Sequence, residues 1–334
     1  MRLMQPYSRA LLSFVLAICL PARAGSRNDR ANLFPQLQAG ATIFYAVSYT
    51  SDRKVKTESA VAAPMAPNGA RVNAHGLLRV EVLDVAAPGG GPLMHLRTQF
   101  ETLNSDTHLR MPKENPGQSQ VVRLDPQGKF VEFTLLPDGR VDSVKGLDGL
   151  FPEQQQLWSE WVARFAATAV FPKGGPKRGD KWETEEPETS PAPIAGLVWV
   201  HRTTYVRDEP CHAMMLTVTG DIIQSNQPAE TCAVILTTAT LKQKSSPKDA
   251  TPEEYKLHDL RTMGTARGTN EIISYVSLKS GLMVRATEEA RQSMDLIVAK
   301  ADSSNRVHYN VDAQSHGSVF LVSETPLHPP QPTK

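Results

Sequence analysis

The chain has 334 residues, of which 36 are basic and 35 acidic, and its formal net charge is +1. A near-neutral chain without a run of basic residues lacks the charge pattern of a nucleic-acid-binding protein or of a protein held at an anionic membrane. Beyond the N-terminus, no apolar stretch approaches the roughly 18 residues that indicate a transmembrane helix. We therefore expect no nucleic-acid partner and no transmembrane segment in the mature chain.

The N-terminus has the pattern of a secretory signal. Arg2 and Arg9 form a basic region, residues 10–20 are apolar, and an A-x-A cleavage signal ends at Ala24. We predict a signal peptide over residues 1–24 and an exported mature protein, either periplasmic or extracellular. Its removal takes away three arginines and no acidic residue, which leaves 33 basic and 35 acidic residues and a net charge of −2.

Two alternatives to signal cleavage stand beside this prediction. The apolar run could be an uncleaved anchor at a membrane interface, or Cys19 could be the lipidated cysteine of a bacterial lipoprotein. Lipoprotein signals place a small residue just before the cysteine, whereas this sequence has Ile18 there. Because the A-x-A signal also follows Cys19, cleavage after Ala24 is the preferred prediction.

The first half of the mature chain has the composition of β-strands joined by tight turns. Strand-like residues occur at 43–49, 77–85, 93–103, 118–124, 129–136 and 140–145. The turns at 125–128 and 137–139 carry proline early and glycine late, which suits the backbone angles of tight turns, and the turn at 88–92 is rich in glycine. Residues 51–68 are polar at first, then rich in proline and alanine, and they predict a loop.

One segment breaks the strand pattern. At residues 153–169 apolar side chains recur about every 3.6 residues, which predicts an amphipathic helix with Leu157, Trp158, Trp161, Val162 and Phe165 on one face. This face either packs on the sheet as core or lines a cavity for an apolar ligand. We predict a mostly β fold of the α+β class, with a curved antiparallel sheet or open β-barrel packed on this one main helix.

Strand-like segments resume in the second half, at 196–206, 213–219, 233–242, 268–278, 282–287, 294–299, 306–313 and 318–323. The residues at 279–281 predict a hairpin turn, and a short helix is expected at 252–256. We divide the chain into a signal peptide (1–24), an N-terminal unit of β-meander plus helix (25–190), a C-terminal β-rich unit (191–325) and a disordered tail (326–334).

Cys211 and Cys232 are the cysteines that follow the predicted signal peptide. In an exported protein such a pair suggests a disulfide. Both cysteines precede a predicted strand, however, and the starts of two strands in a plain hairpin lie at opposite ends. The sequence therefore leaves two alternatives, a disulfide or two separate buried thiols.

The sequence contains no catalytic or metal-binding motif of a common type. G-x-S-x-G, H-E-x-x-H, P-loop and C-x-x-C patterns are missing. His308 and His316 would face each other across a hairpin formed by the last two predicted strands, but no third ligand is apparent. We therefore expect no catalytic residue, no metal and no cofactor, and a protein that is not an enzyme.

Residues 125–182 carry a series of short motifs. They are a D-P-x-G turn at 125–128, F-x-L at 133–135, D-G-x-V-x-x-V-K-G-L-D-x-L at 138–150 and G-D-x-W at 179–182. This series covers less than a third of the chain and resembles a family of exported bacterial proteins of unknown function. The expected architecture is similar, by analogy of fold alone, to periplasmic lipoprotein carriers and lipid-binding proteins. The resemblance implies no catalytic residues.

These observations favour a non-enzymatic exported protein of the cell envelope that binds an apolar or lipid-like ligand in its concavity. The first alternative is a structural or protein-interaction module with a filled core, whose partner would be another envelope protein. A secreted hydrolase is the least favoured hypothesis, because no catalytic motif supports it.

Overall fold

A computed structural model describes residues 30–59, 68–86, 92–110, 121–123, 129–148, 171–172, 174–188, 192–217, 222–300 and 306–322. Within them the strands are, in chain order, β1 Thr42–Ser59, β2 Gly69–Ala86, β3 Leu93–Arg110, β4 Val121–Arg123, β5 Phe130–Leu135, β6 Val141–Lys145, β7 Lys181–Pro187, β8 Leu197–Cys211, β9 Met214–Leu216, β10 Ile222–Gln224, β11 Glu230–Gln243, β12 Leu260–Ser277, β13 Met283–Lys300 and β14 Arg306–Val322. A short helix, α1, spans Glu253–Leu257.

The predicted fold class is wrong. The structure is nearly all antiparallel β-sheet, and the five-residue α1 is the one helix in the part of the chain that the structure describes. The main helix predicted at residues 153–169 lies outside the described residues. The described chain is richer in strand than expected because several strands continue through stretches that the sequence pattern did not assign to strands.

The strands form one sheet whose order is β6-β5-β3-β2-β1-β14-β13-β12-β11-β8-β7. The sheet is not closed, since β6 and β7 are the two ends of this order. The first strand, β1, pairs with the last, β14, over the whole stretch from Phe44 to Ser59. This pair joins the strands of the two halves of the chain. The division into units at residue 190 stays a prediction.

Several strands are longer than the sequence predicts. β1 runs through residues 51–59, which predicted a loop, and β13 and β14 each unite two segments that were predicted as separate strands. Polar residues occupy the added parts. The added parts of β13 and β14 have a hydrogen-bonded neighbour on both sides, whereas β1 has both neighbours up to Lys54 and pairs with β14 alone from Lys56 to Ser59. Where both neighbours are present, the backbone groups are satisfied whatever the side chains are.

Alternate residues point to opposite faces of the sheet. We call the face that carries Tyr45 of β1, Leu78 of β2, Phe133 of β5 and Val319 of β14 the inner face, because these side chains share the largest buried cluster. The opposite side is the outer face. The end of the sheet at the turn between β12 and β13 is the near end, and the other end, at Lys300, is the far end.

Residues 30–41 pack against the near end of the sheet. Leu33 packs with Tyr205 and Ile235 of the β8–β11 side, whereas its neighbour Phe34 belongs to the largest buried cluster, whose members come from β1, β2, β3, β5, β13 and β14. Two adjacent residues thus connect two buried clusters of the inner face. The backbone N–H of Gln36 donates to the carbonyl of Ser280 at 2.8 Å, which fixes the segment to the β12–β13 turn.

Cys211 and Cys232 form a disulfide, with a Cα–Cα distance of 5.8 Å. β8 continues up to Cys211, so this cysteine ends a strand instead of preceding one. Cys232 lies near the start of the antiparallel neighbour β11, where it pairs with Glu209. The end of one strand and the start of its antiparallel neighbour are adjacent, which removes the geometric objection to bonding. A disulfide is consistent with an exported protein.

Candidate functional site

Polar side chains line up across the inner face in two neighbouring rows of the sheet. The first row reads, from β8 to β3, His201, Ala239, Asn270, Ala290, Ser315, Ser51, Val72 and Thr107. The second row, two residues nearer the near end, reads Thr203, Thr237, Ile272, Glu288, Gly317, Tyr49, Ala74 and Ser105. We call the polar members of these two rows the polar belt. They come from seven strands and share one face.

Glu288 is the charged residue at the centre of the polar belt. Its side chain is buried, with a residue exposure of 6%. Nδ2 of Asn270 donates a hydrogen bond to Oε1 of Glu288 at 2.6 Å. The register explains this contact, because Asn270 pairs with Ala290, and Glu288 lies two residues further along the same face of β13. Oδ1 of Asn270 is buried and has no hydrogen-bond partner among the described residues.

His201 lies at the β8 end of the belt, separated from Asn270 by the small side chain of Ala239. Burial lowers the pKa of His201, because desolvation disfavours the imidazolium form, while the carboxylates of Glu186 and Glu288 act in the opposite direction. Nε2 of His201 is 3.6 Å from Oε2 of Glu186, beyond hydrogen-bond range. Within the described part of the chain this nitrogen is buried without a hydrogen-bond partner.

The β3 end of the belt also carries buried polar atoms that have no hydrogen-bond partner among the described residues. They are Oγ of Ser105 and Oγ1 of Thr107, on residues that are 4% and 1% exposed. Each buried polar group that lacks a hydrogen bond costs about 1–3 kcal/mol. Such groups are satisfied by ordered water or by a ligand when chain atoms do not satisfy them. Between residues 30 and 322 the described chain thus leaves hydrogen-bonding capacity unused along this belt.

Packing differs on the two sides of the polar belt. Towards the near end the inner face is filled, and Tyr45, Leu78 and Phe133 have no exposed surface. Towards the far end burial is uneven: Val55 and Gln292 are half-buried and Arg53 is exposed, whereas Leu241 and Leu296 are only 4% and 2% exposed. The belt therefore lies between a filled interior and an inner face that is accessible at residues of β1 and β13.

An apolar cluster adjoins the belt on its far side. It contains Trp199, Leu241, Ala266, Met294 and Leu296, all on the inner face of β8, β11, β12 and β13, and we call it the apolar wall. Trp199 keeps its orientation because its Nε1 donates to Oε2 of Glu188 at 2.8 Å. Trp199 and Met294 are only half-buried. A molecule on the belt would thus meet an apolar surface on one side.

The outer face carries a polar trough of about 500 Å³. Its lining comes from β1, β2, β13 and β14. The outward-facing members are Thr50, Asp52, Arg71, Asn73, Glu289, Arg291, Gln314 and His316, and Ser51, Ala290 and Ser315 of the inner-face row also border it. Arg71 and Asp52 form an ion pair across it at 3.3 Å. The long side chains in the lining are mostly exposed, so we interpret the trough as a solvated part of the sheet surface.

The predicted cavity residues Leu157, Trp158, Trp161, Val162 and Phe165 lie in residues 149–170, outside the described residues, and the cavity stays a prediction. His308 and His316 do not face each other across a hairpin, because both belong to the single strand β14. Nε2 of His308 is 2.6 Å from Oδ1 of Asp295, and Nδ1 is 3.6 Å from Oε2 of Glu58. No group of three or more potential metal ligands is found among the described residues.

No motif in the sequence points to the polar belt. Asn270 and Glu288 lie inside strand-like segments or beside them, where a single polar residue is usually interpreted as solvent-facing. They could be found from the alternation of side chains along a strand, because residues two positions apart point to the same face. Asn270 points to the same face as the apolar Ile272, and Glu288 to the same face as Ala286, so both belong to the buried face. Register is needed to apply this rule across bulges.

None of the helices in the described part of the chain has the length and apolar character needed to cross a membrane. This finding concerns helices alone.

No family model and no curated protein sequence matches the chain, so the family suggested by residues 125–182 is not shown and stays a prediction. Among solved structures the chain is similar to lipovitellin, described in a study of its lipid–protein interactions, with a TM-score of 0.40 and 12% identity over 89% of this chain and 26% of that one. The chain thus spans about a quarter of the lipovitellin chain.

Two further solved structures have lower similarity. A candidate lipoprotein from Parabacteroides distasonis has a TM-score of 0.22 and 8% identity, over 87% of this chain and 97% of that one. OccK7 (OpdD) from Pseudomonas aeruginosa has a TM-score of 0.20 and 7% identity, over 84% and 98%. All of these scores are too low to transfer a function.

Proposed function

We propose that this protein is a non-enzymatic exported protein of the cell envelope that binds an apolar or lipid-like ligand on the inner face of its sheet. The observation that carries the proposal is the position of the polar belt. Buried polar atoms without partners, such as Oδ1 of Asn270, lie directly beside the apolar wall. A ligand with an apolar part and a polar end would satisfy both surfaces at once.

The accessible side of the belt supports binding there. The near half of the inner face is filled, so a ligand would lie towards the far end, against Trp199 and Met294, whose half-buried side chains still have surface to cover. Covering apolar surface contributes roughly 25 cal/mol per Å². The ligand's polar end would replace water at the belt.

A binding role fits the belt better than catalysis. An activated nucleophile is recognised by a hydrogen bond between its hydroxyl or thiol and a base. In the described part of the belt, Nε2 of His201 has no such partner, and the hydroxyl groups of Thr203 and Thr237 are bonded to each other at 3.0 Å. The disulfide between Cys211 and Cys232 supports export, because disulfides persist in oxidising compartments.

A structural or protein-interaction module is the second candidate, and a specific observation favours it. The near half of the inner face, around Tyr45, Leu78 and Phe133, is packed without exposed surface. If the fold serves only to form this filled interior, no ligand binds, and water alone completes the hydrogen bonds of the polar belt. The two functions then differ in whether any apolar molecule binds to the far half.

The test has two parts. Lipids are extracted from protein purified out of its native envelope and identified by mass spectrometry, and binding of decylamine to delipidated protein is measured by calorimetry and by tryptophan fluorescence. We expect a copurified apolar molecule and saturable binding. A preparation without such a molecule, together with no saturable binding, would leave the structural module as the function.

A matched pair of variants locates the binding surface. Met294→Gln changes the apolar wall, while Ser293→Gln makes a similar polar residue at the neighbouring half-buried position on the outer face. We expect Met294→Gln to weaken decylamine binding by about tenfold, since it removes apolar contact at the wall. Ser293→Gln should bind like the unmodified protein. Equal effects from the two variants would place any ligand elsewhere.

A further inference from the structure

We propose that the polar belt selects ligands whose polar end donates hydrogen bonds, that is, amphiphiles with an ammonium or hydroxyl group, through Oδ1 of Asn270 and the carboxylate of Glu288. This inference rests on the proposed function and names the chemical class of its ligand. It follows from the orientation of one amide, from the sign of the charges around it and from the small size of the neighbouring side chains.

The amide of Asn270 has a defined orientation. Its nitrogen donates to Oε1 of Glu288 at 2.6 Å, and a carboxylate can only accept. The oxygen, Oδ1, is therefore fixed on the other side of the amide, where it is buried without a partner among the described residues. An amide oxygen accepts hydrogen bonds and cannot donate them. The group that completes this site must be a donor.

The charges around the site favour the same chemistry. Glu288 is buried at the centre of the belt, and Glu186 lies on the inner face of β7 beside His201, with 3.6 Å between the two side chains. Arg53 is an inner-face cation at the level just beyond the belt, three strands away from Asn270, and it is exposed. A ligand carboxylate or phosphate at Asn270 would face acceptors and negative charge, which costs free energy.

Small side chains lie next to the polar atoms of the site, although Ala239 itself is only 3% exposed. Ala239 separates His201 from Asn270, and Ala290 and Gly317 lie beside Glu288 in the two rows. His201 contributes a ring nitrogen, Nε2, that is buried without a hydrogen-bond partner in the described chain. A donor group placed above Ala239 would reach both Oδ1 of Asn270 and this nitrogen, if the nitrogen carries no proton. Its alkyl part would then lie against the apolar wall.

Four probes with one decyl chain test this proposal. Decylamine has an ammonium with N–H donors, and decyl glucoside has hydroxyl donors. Decyltrimethylammonium has the same charge as decylamine but no donor, and decanoate is an anion. Affinities are measured by calorimetry below the micelle concentration. We expect decylamine, decyl glucoside or both to bind about tenfold more tightly than the other two, the loss expected when a buried acceptor stays unsatisfied.

Two variants connect the preference to the belt. Glu288→Gln keeps the shape of the side chain, and Asn270→Ser removes the amide oxygen. Each should reduce the preference for donor probes to less than about threefold, with native far-UV circular dichroism as the folding check. Glu289→Gln is the control, because it makes the same chemical change at the adjacent residue, which is exposed on the outer face. It should leave the preference unchanged.

The outcomes separate the two proposals. If all four decyl probes bind equally, or if both folded belt variants keep the donor preference, the donor-selective belt is wrong while ligand binding stands. If no decyl probe binds, both proposals fail and the structural module remains. A preference for decylamine alone would identify an ammonium as the polar end, and an equal preference for decyl glucoside would identify a hydroxyl-bearing ligand as well.

Discussion

Trp199 of β8 reaches over β11 to cover Gly268 of β12. A Cβ atom built on Gly268 would lie 2.8 Å from Cη2 of Trp199 and 3.1 Å from Cβ of Leu241. The indole is rigid and is also held by its hydrogen bond to Glu188. Gly268 is thus part of the apolar wall, since its missing side chain makes the space that the indole fills.

Gly268→Ala should destabilise the protein by about 1–3 kcal/mol, because the added methyl group overlaps the indole of Trp199. The measurement is the free energy of unfolding in urea. Trp199→Leu should cost stability alone but make the alanine at 268 better tolerated, so that the two changes are not additive. Strictly additive effects would show that the ring of Trp199 is not what excludes a side chain at Gly268.

The strands around tight turns could be predicted from the sequence, and the reason is local. The turn at 137–139 has proline early and glycine late, and β5 pairs with β6 across it, with Gly139 at a φ of +86°. The turn at 279–281 likewise joins β12 and β13, and Gly281 has a φ of +69°. Such angles favour glycine, so a few neighbouring residues are enough to define these hairpins.

The polar halves of the long strands could not be predicted in the same way. Residues 51–59 carry mostly charged and hydroxyl side chains that are typical of loops, yet β1 continues through them because β14 pairs with it up to Ser59 and β2 up to Lys54. The polar belt is hidden for the same reason. His201, Asn270 and Glu288 are distant in sequence, and only the registers of β8, β11, β12 and β13 bring them into two adjacent rows.

The disulfide predicts a redox-dependent stability. Cys211 and Cys232 are 21 residues apart in the chain, and closing a loop of this size stabilises the folded state by about 3 kcal/mol in the chain-entropy model. Cys211→Ser together with Cys232→Ser should lower the free energy of unfolding by roughly this amount, measured in urea without reductant. Thiol titration of the denatured parent protein should find no free thiol at these two positions. Two free thiols there would contradict the bond.

We expect the ion pair of His308 with Asp295 to stabilise the folded state at low pH and to lose this effect as pH rises. Its hydrogen bond to Asp295, with the nearby charge of Glu58, raises its pKa above the ordinary value of 6.5. The folded state then holds the proton more tightly than the unfolded state, so the stabilisation is complete below pH 6.5 and is lost as pH rises through the raised pKa. NMR titration of the imidazole should show the raised pKa, and Asp295→Asn should lower it towards 6.5. No change in that variant would mean that the contact with Asp295 does not form.

For His201 we expect the opposite dependence, a loss of stability as pH falls. Burial lowers its pKa below 6.5, so the unfolded chain binds a proton that the folded protein does not. Its contribution to stability is therefore complete above pH 6.5 and is lost as pH falls through the lowered pKa. Glu186→Gln should lower the pKa of His201 further, because it removes a carboxylate that favours the imidazolium. NMR titration of this imidazole checks the direction, and a pKa above 6.5 in the unmodified protein would contradict the buried position.

The pairing of β1 with β14 determines when the sheet can be completed. Residues 42–59 are synthesised early, but their partner on one side, residues 306–322, comes at the end of the described chain. Leu33 and Phe34 likewise can pack only after residues of β11, β12 and β13 have been synthesised. Pairings so distant along the chain make folding slow, and the early strands keep an open edge while the rest of the chain emerges. A chain with this topology has to be protected from aggregation until β14, the last of the described strands, has been synthesised. We therefore expect its need for holding chaperones to depend on the pairing of β14 more than on any residue of the binding surface.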